Sequence, residues 1–261
     1  MDKKNGPETG VIDLGSRLSR KDVFHFECGP QVPCFTECCG KLDLLLTPYD
    51  ALRLRRRLGV SSGEFLDDYA TIRRRTSHGL PEVMMTMDVE HGKRCPFVRP
   101  TGCSVYEDRP AACRIYPLGR AATKSSFHEG PQEFFFTVRE DHCRGFESSR
   151  SWSVEEWVGD QGLEDYNRMN DFLMEIYVTR SRSRKIELGP QHLQMYMMAL
   201  YNLERFRDFV FKSGFLTKFE LDRDTVQSIE KDDLKLLEFA FLWIRFALFG
   251  EPVIKVKGRP R

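Results

Sequence analysis

Cysteine is the residue type in this chain whose number and spacing could carry chemistry. All eight cysteines lie between Cys28 and Cys143, and none follows in the rest of the 261 residues. Cysteines that only fill a core would be spread more evenly, and reduced cytosolic thiols seldom build a disulfide framework. The clustering favours metal binding, because thiolates that converge from a rigid backbone are good ligands for zinc and for iron–sulfur clusters.

The cysteines fall into two groups along the chain. The first group has the pattern C-x5-C-x3-C-C, and the second starts in CPFVRPTGCSVYEDRPAACRIYP, where proline and glycine favour tight turns. We expect the two groups to meet in one unit, with all eight cysteines as candidate metal ligands: Cys28, Cys34, Cys38, Cys39, Cys95, Cys103, Cys113 and Cys143. Adjacent cysteines on an extended backbone do not easily reach one atom, so we expect Cys38 and Cys39 to differ in role.

The ligand type favours iron over zinc. No C-x2-C pair occurs, and Cys34 with Cys38 is the nearest approach to a zinc knuckle. A set made of cysteine alone suits an iron–sulfur cluster, so we predict one, of the [4Fe–4S] type, with zinc as the alternative. Arg94, Arg109 and Arg114 would offset its negative charge. Two bland interpretations are buried structural thiols and a reversible disulfide switch.

Charge and hydropathy restrict the partners. The 40 lysines and arginines nearly balance the 39 aspartates and glutamates, so no overall field favours nucleic acid or an anionic membrane. The longest apolar run, residues 239–249, is too short to span a bilayer and contains Arg245. The first fifteen residues have no apolar signal segment, so we expect a cytoplasmic protein. We expect a protein partner, bound through the helical part of the chain.

Capping signals and periodicity predict the elements that must position the cysteines. Thr47 and Pro48 start a helix that Gly59 ends, and Ser61 with Glu64 starts a second helix that ends near Arg75. Short strands at residues 82–89 and 133–139 would form a small sheet, and Cys113 lies in a helical turn between them. Later helices are predicted at 163–180, 190–212 and 232–249, after a short one opened by Ser153 with Glu156.

The predicted fold is α+β and mainly helical, with a cysteine-rich metal-binding domain containing a small sheet, followed by a C-terminal helical bundle. The predicted segments are a flexible arm at 1–22, a cysteine domain at 23–150, a helical domain at 151–252 and a basic tail at 253–261.

At the cysteines the sequence resembles the YkgJ-like cysteine-cluster family, whose members are described as zinc- or iron-chelating. The resemblance covers about residues 25–145, and the family's C-Y-x-x-R-P-x-x-C-R-x-Y-P style signature takes the form CSVYEDRPAACRIYP. The first group departs from the family's compact C-x2-C-x2-C-C spacing. The family includes flagellin lysine-N-methylases, so the resemblance implies an alternative function as a protein lysine N-methylase using S-adenosylmethionine. No glycine-rich loop of the G-x-G-x-x-G type supports a Rossmann-type methyltransferase.

Overall fold

A computed structural model describes residues 11–12, 17–74, 78–124 and 131–258, with the backbone alone described at 11, 12, 123, 124 and 131. The fold is 48% helical and 19% strand, which confirms the predicted mainly helical α+β class. None of the helices in the described ranges combines the length and the apolar character that crossing a bilayer requires.

The helices of the described chain lie mostly in its C-terminal half. They are α1 (Pro48–Leu58), α2 (Ser62–Tyr69), α3 (Ala111–Ile115), α4 (Val154–Asp160), α5 (Glu164–Arg182), α6 (Pro190–Tyr201), α7 (Leu203–Lys212), α8 (Phe215–Lys218), α9 (Arg223–Lys231) and α10 (Asp233–Phe249).

The strands are short and form small antiparallel sheets. They are β1 (Val11–Ile12), β2 (Val23–His25), β3 (Leu45–Leu46), β4 (Ala70–Arg74), β5 (Pro81–Met85), β6 (Val98–Arg99), β7 (Gly102–Cys103), β8 (Leu118–Lys124), β9 (Pro131–Arg139), β10 (Ser151–Ser153), β11 (Phe219–Glu220) and β12 (Lys255–Val256). The sheet orders are β1-β9-β8, β10-β2, β3-β5-β4, β6-β7 and β11-β12.

The chain forms two compact units that are not sequential. The cysteine unit comprises Met1–Leu44 and Met85–Asn167, and the helical unit comprises Leu45–Met84 and Arg168–Arg261. The sequence predicts instead a continuous cysteine domain at 23–150. The difference arises because α1 packs against α6 and α10, so the segment around it is grouped with the later helices.

An aromatic cluster forms the core of the cysteine unit. Phe26 is 1% exposed and meets Trp157 edge to face at 5.7 Å between ring centroids. Phe24 and Trp152 also pack edge to face on Trp157, and Phe135 of β9 is fully buried. Because β2, which carries Phe24, leads directly into the first cysteine group, this core fixes the place where that group begins.

Side-chain caps start the helices where the sequence predicts. Thr47, Ser61 and Ser153 each accept a backbone N–H from the third residue of the following helix, and each helix returns an acidic side chain to the cap. Gly59 and Gly250 end α1 and α10 in the left-handed conformation, at φ 70° in both cases. These helix boundaries are confirmed.

The predicted extension of the second helix to Arg75 is wrong. The helix ends at Tyr69, and Ala70 is already extended, at φ −130° and ψ 145°. The β-branched residues Thr71 and Ile72 then belong to β4, which pairs with β5. Strand pairing and β-branched side chains outweigh a helical spacing of apolar residues in this segment.

Other predicted elements also differ from the structure. The strands predicted at 82–89 and 133–139 belong to separate sheets, because β9 pairs with its chain neighbour β8. The single helix predicted at 190–212 is divided at Asn202, whose side chain accepts the N–H of Arg205 at 3.3 Å and caps α7. Asp108 lies in a 3₁₀ turn, and Pro110 occupies the N-cap position of α3.

The predicted arm and tail are partly built into the fold. Leu18 pairs with Phe135, and Arg20 forms ion pairs with Glu133 at 2.6 Å and Glu164 at 2.9 Å. Lys255 pairs with Glu220 across β11 and β12. The rest of the arm at 1–10 and 13–16, and of the tail at 259–261, lies outside the described residues.

Candidate metal centre

The first cysteine group lies in a loop built from consecutive turns. The N–H of Phe35 donates to the carbonyl of Val32 at 2.9 Å, and the N–H of Glu37 donates to the carbonyl of Cys34 at 3.0 Å. A 3₁₀ turn, Glu37–Cys39, follows, entered through Thr36 at φ 68°. The backbone therefore folds back at each cysteine, as the glycines and prolines of this segment predict.

Backbone hydrogen bonds join the two cysteine groups. The N–H of Cys95 donates to the carbonyl of Cys39 at 2.7 Å, and the N–H of Lys41 donates to the carbonyl of Lys93 at 2.8 Å. The guanidinium of Arg94 donates to the carbonyl of Thr36 at 3.0 Å. Two segments that are remote in sequence are therefore held side by side, as the sequence analysis expects.

Cys143 lies with the first cysteine group, although its position in the sequence follows the second. The N–H of Arg144 donates to the sulfur of Cys34 at 3.1 Å, and the N–H of Glu27 donates to the carbonyl of Gly145 at 3.1 Å. These bonds hold the loop after β9 against the loop after β2.

Four thiols interact electrostatically in this region, and we call them the four-thiol set: Cys28, Cys34, Cys38 and Cys143. Burial, followed by the charges of the other three cysteines, raises the pKa of Cys28 to about 11. The residue Cys28 is exposed as a whole, but its sulfur faces the other thiols and is partly desolvated. Burial also raises the pKa of Cys143, to which Cys34 and Cys38 add.

The adjacent cysteines share one hydrogen bond. The side chains of Cys38 and Cys39 bond to each other, and this contact, followed by burial, raises the pKa of Cys38. Adjacent side chains point apart on an extended backbone, but these two lie in a 3₁₀ turn, which brings their sulfurs together. Glu140 adds a further negative charge near Cys38.

The remaining cysteines lie around a hairpin and a short helix. Strands β6 and β7 place Val98 opposite Cys103, and burial, with a contribution from Cys103, raises the pKa of Cys95. Cys113 lies in α3 and is exposed. The guanidinium of Arg109 interacts with both Cys103 and Cys113.

Two buried arginines supply positive charge beside these thiols. Arg109 and Arg114 are each 7% exposed, and burial lowers the pKa of Arg109. Arg114 donates to the carbonyls of Arg109 at 3.2 Å, of Gln161 at 2.6 Å and of Glu107. These acceptors are neutral, so the bonds position the guanidinium without cancelling its charge. An anionic group held by the thiols would provide the missing counter-charge.

The donor set fits a thiolate-bound metal in its chemistry. Backbone N–H groups bond to the sulfurs of Cys34, Cys95 and Cys143, from Arg144, from Phe97 and Val98, and from Gly145 respectively. Such bonds favour the thiolate, the form that binds metal. Within the described ranges, no group of three or more histidine, cysteine, aspartate or glutamate side chains is arranged to hold a metal ion.

Sequence reasoning missed several residues that line this region. Tyr116 and Glu140 act electrostatically on the thiols, and Arg144 and Gly145 contribute backbone groups. Tyr116 belongs to the quoted signature, in RIYP, and was available as a signal. The backbone contributions leave no mark in residue type, so no sequence pattern could have indicated them.

The comparison with known families agrees with this arrangement. Residues 27–148 match the family model CxxCxxCC, described as "Putative zinc- or iron-chelating domain". No curated protein and no solved structure matches the chain. The match confirms the resemblance seen in the sequence and supports metal binding by the segment that contains all eight cysteines. Residues 27–148 therefore form a cysteine-cluster domain of this zinc- or iron-chelating family.

Proposed function

We propose that the cysteine unit holds an iron–sulfur cluster of the [4Fe–4S] type, with the four-thiol set as its ligands. Cys39, Cys95, Cys103 and Cys113 are proposed as ligands of a neighbouring second centre. The cluster has a structural or electron-carrying role, and the helical unit binds a protein partner.

The observation that carries this proposal is the set of backbone N–H groups that bond to cysteine sulfurs. A neutral thiol is a weak acceptor, whereas a thiolate accepts strong, charge-assisted hydrogen bonds. The N–H of Arg144 lies 3.1 Å from the sulfur of Cys34, and Cys143 and Cys95 receive N–H groups from residues two or three positions further along. Hydrogen bonds to sulfur are also one of the main determinants of cluster potential.

The exposure of the cysteines disfavours a role in core packing. Cys28 and Cys113 are exposed and the other six are half-buried, whereas a cysteine that only packs a core is usually fully buried. The thiols are all free. Accessible thiols that have N–H donors and a nearby cationic side chain fit a metal ligand set better than a packing cluster.

The spacing of the ligands supports iron over zinc. A single zinc ion needs four donors within about 2.3 Å of one point, and C-x2-4-C pairs usually supply them. A cluster takes one thiolate on each iron, so its ligands come from loops that are further apart. The four-thiol set is drawn from loops after β2 and β9, which suits the larger inorganic core.

Metal analysis of the anaerobically purified full-length chain tests this proposal. We expect iron and sulfide in roughly equal amounts, a brown colour and broad absorption in the blue. Zinc without sulfide would refute the cluster and leave a zinc-chelating domain. A preparation that contains neither metal, even after reconstitution with iron and sulfide or with zinc, would refute metal binding altogether.

A further inference from the structure

Tyr116 is held rigidly beside the four-thiol set. Its ring packs edge to face on Phe26 with 5.8 Å between centroids. The backbone is fixed on both sides, because the carbonyl of Ile115 accepts the indole N–H of Trp157 at 3.1 Å and the carbonyl of Pro117 accepts the N–H of Val138 at 2.8 Å. The ring therefore has little freedom to move away from the cysteines.

The hydroxyl of Tyr116 is a buried donor that lacks an acceptor. It has no hydrogen-bond partner among the residues that the structure describes. A buried hydroxyl without a partner costs on the order of 1–3 kcal/mol, so such a group is expected to have a use.

The sulfur of Cys143 is the neighbour best placed to accept this bond. Tyr116 and Cys143 pack against the same core cluster. Burial, followed by Cys143, raises the pKa of Tyr116, and Tyr116 in turn acts to lower the pKa of Cys143. The two groups are thus adjacent but not yet aligned into a hydrogen bond, as expected when the acceptor is a weakly accepting neutral thiol.

The position of Cys143 is also fixed by its backbone. Its N–H donates to the carbonyl of Glu140 at 2.9 Å, and the next two residues bond to Cys34 and Glu27. A change from thiol to metal-bound thiolate therefore alters the charge of the sulfur without moving the loop. That change strengthens the acceptor that faces the hydroxyl.

We propose that Tyr116 is a positioning residue of the metal centre, whose hydroxyl donates a hydrogen bond to the metal-bound sulfur of Cys143. This inference rests on the proposed function. The bond withdraws negative charge from the sulfur, so it stabilises the bound thiolate and favours the more reduced, more negative state of the cluster. Tyr116 therefore slows metal release and makes the reduction potential more positive.

The test compares Tyr116→Phe with the wild-type holoprotein. The substitution removes one oxygen and keeps the ring that packs on Phe26. We expect release of metal to a chelator to become about 10-fold faster, within the usual effect of losing a hydrogen bond to a ligand. The reduction potential should become more negative. Tyr196→Phe is the matched control, because it removes a fully buried hydroxyl in the helical unit and should leave both readouts unchanged.

The outcomes separate the two proposals. Unchanged release and potential in Tyr116→Phe, with a wild type that contains iron and sulfide, would overturn the role of Tyr116 alone. A wild type that contains zinc refutes the cluster, and zinc release then still tests Tyr116.

If Tyr116→Phe does not fold, brief transfer of the wild type into D₂O is the second measurement. The hydroxyl exchanges before the buried amides, so the metal–sulfur stretching band should shift early. An early spectrum identical to that in H₂O would overturn the inference.

Discussion

The backbone N–H of Cys95 donates a 2.7 Å hydrogen bond to the carbonyl oxygen of Cys39. This bond joins the last cysteine of the first group to the first cysteine of the second. A bridge between Gly40 and Arg94 continues the contact. Since each group is a run of turns, the contact fixes the distance between loops that have no regular secondary structure of their own.

Replacing a member of the four-thiol set should remove its metal. We expect Cys143→Ala to lose the iron and sulfide bound by that set, because a cluster deprived of one thiolate is no longer held. Cys113→Ala should keep this metal and lose at most that of the second centre, since Cys113 lies beside Arg109. Iron and sulfide per chain, with the visible spectrum, measure both. Full occupancy in Cys143→Ala would contradict the ligand assignment.

Gly145 should tolerate no side chain. A Cβ at this position would lie 2.6 Å from the carbonyl oxygen of Glu27 and 2.5 Å from the ring of Phe26. We expect Gly145→Ala to lower the free energy of unfolding by about 1–3 kcal/mol and to weaken metal retention, because it pushes apart the loops of Cys28 and Cys143. Urea denaturation and metal analysis measure these effects.

The matched control for this change is Gly159→Ala. Gly159 lies in α4, and a Cβ there would meet nothing within 4 Å. This variant should be neutral or more stable by about 0.5–1 kcal/mol. Equal stability changes in the two variants would show that the close approach at Gly145 has no importance.

Arg114 should not be replaceable by lysine. Its guanidinium bonds to three carbonyl groups and lies 4.9 Å from the ring centroid of Tyr166, a geometry that a single ammonium group does not reproduce. We expect Arg114→Lys to destabilise the chain by about 2–3 kcal/mol, because buried carbonyls lose their donors. Arg205→Lys, at an exposed position in α7, is the control. Denaturation curves that coincide for both variants would contradict this prediction.

Asp233 should make stability depend on acid pH. Burial raises the pKa of this carboxyl, but Arg207 and Arg55 outweigh burial and hold the pKa below its usual range. The folded chain therefore keeps Asp233 ionised at a pH where the unfolded chain protonates it. Its contribution is complete above about pH 4–5, beyond the unfolded pKa of about 3.9, and is lost as the pH falls through the lower folded value.

The measurement is the difference in unfolding free energy between wild type and Asp233→Asn. We expect about 3 kcal/mol at pH 7, near the lower end for removing one partner of a buried ion pair, and a smaller difference near pH 3. Asp208→Asn breaks the exposed pair with Lys212 and should cost less than about 1 kcal/mol. A difference for Asp233→Asn that stays constant with pH would refute the assigned ionisation.

Local signals in the sequence were sufficient for several elements. The capping boxes at Thr47, Ser61 and Ser153 act within three residues, so their helices start where the pattern predicts. The stop of the second helix at Tyr69 was not predicted, because it depends on the pairing of β4 with β5, a contact between separate segments. The division at Asn202 was also missed, although the residue is a good N-cap.

The sequence by itself determined that thiols cluster between Cys28 and Cys143, and that metal binding is the chemistry those residues favour. Only the tertiary structure decided that Cys143 joins Cys34 and that Tyr116 faces them. The physical reason is that these contacts depend on the pairing of β2 with β10 and on backbone bonds such as that from Glu27 to Gly145. Any residue type could make those backbone bonds, so the residue pattern carries no record of them.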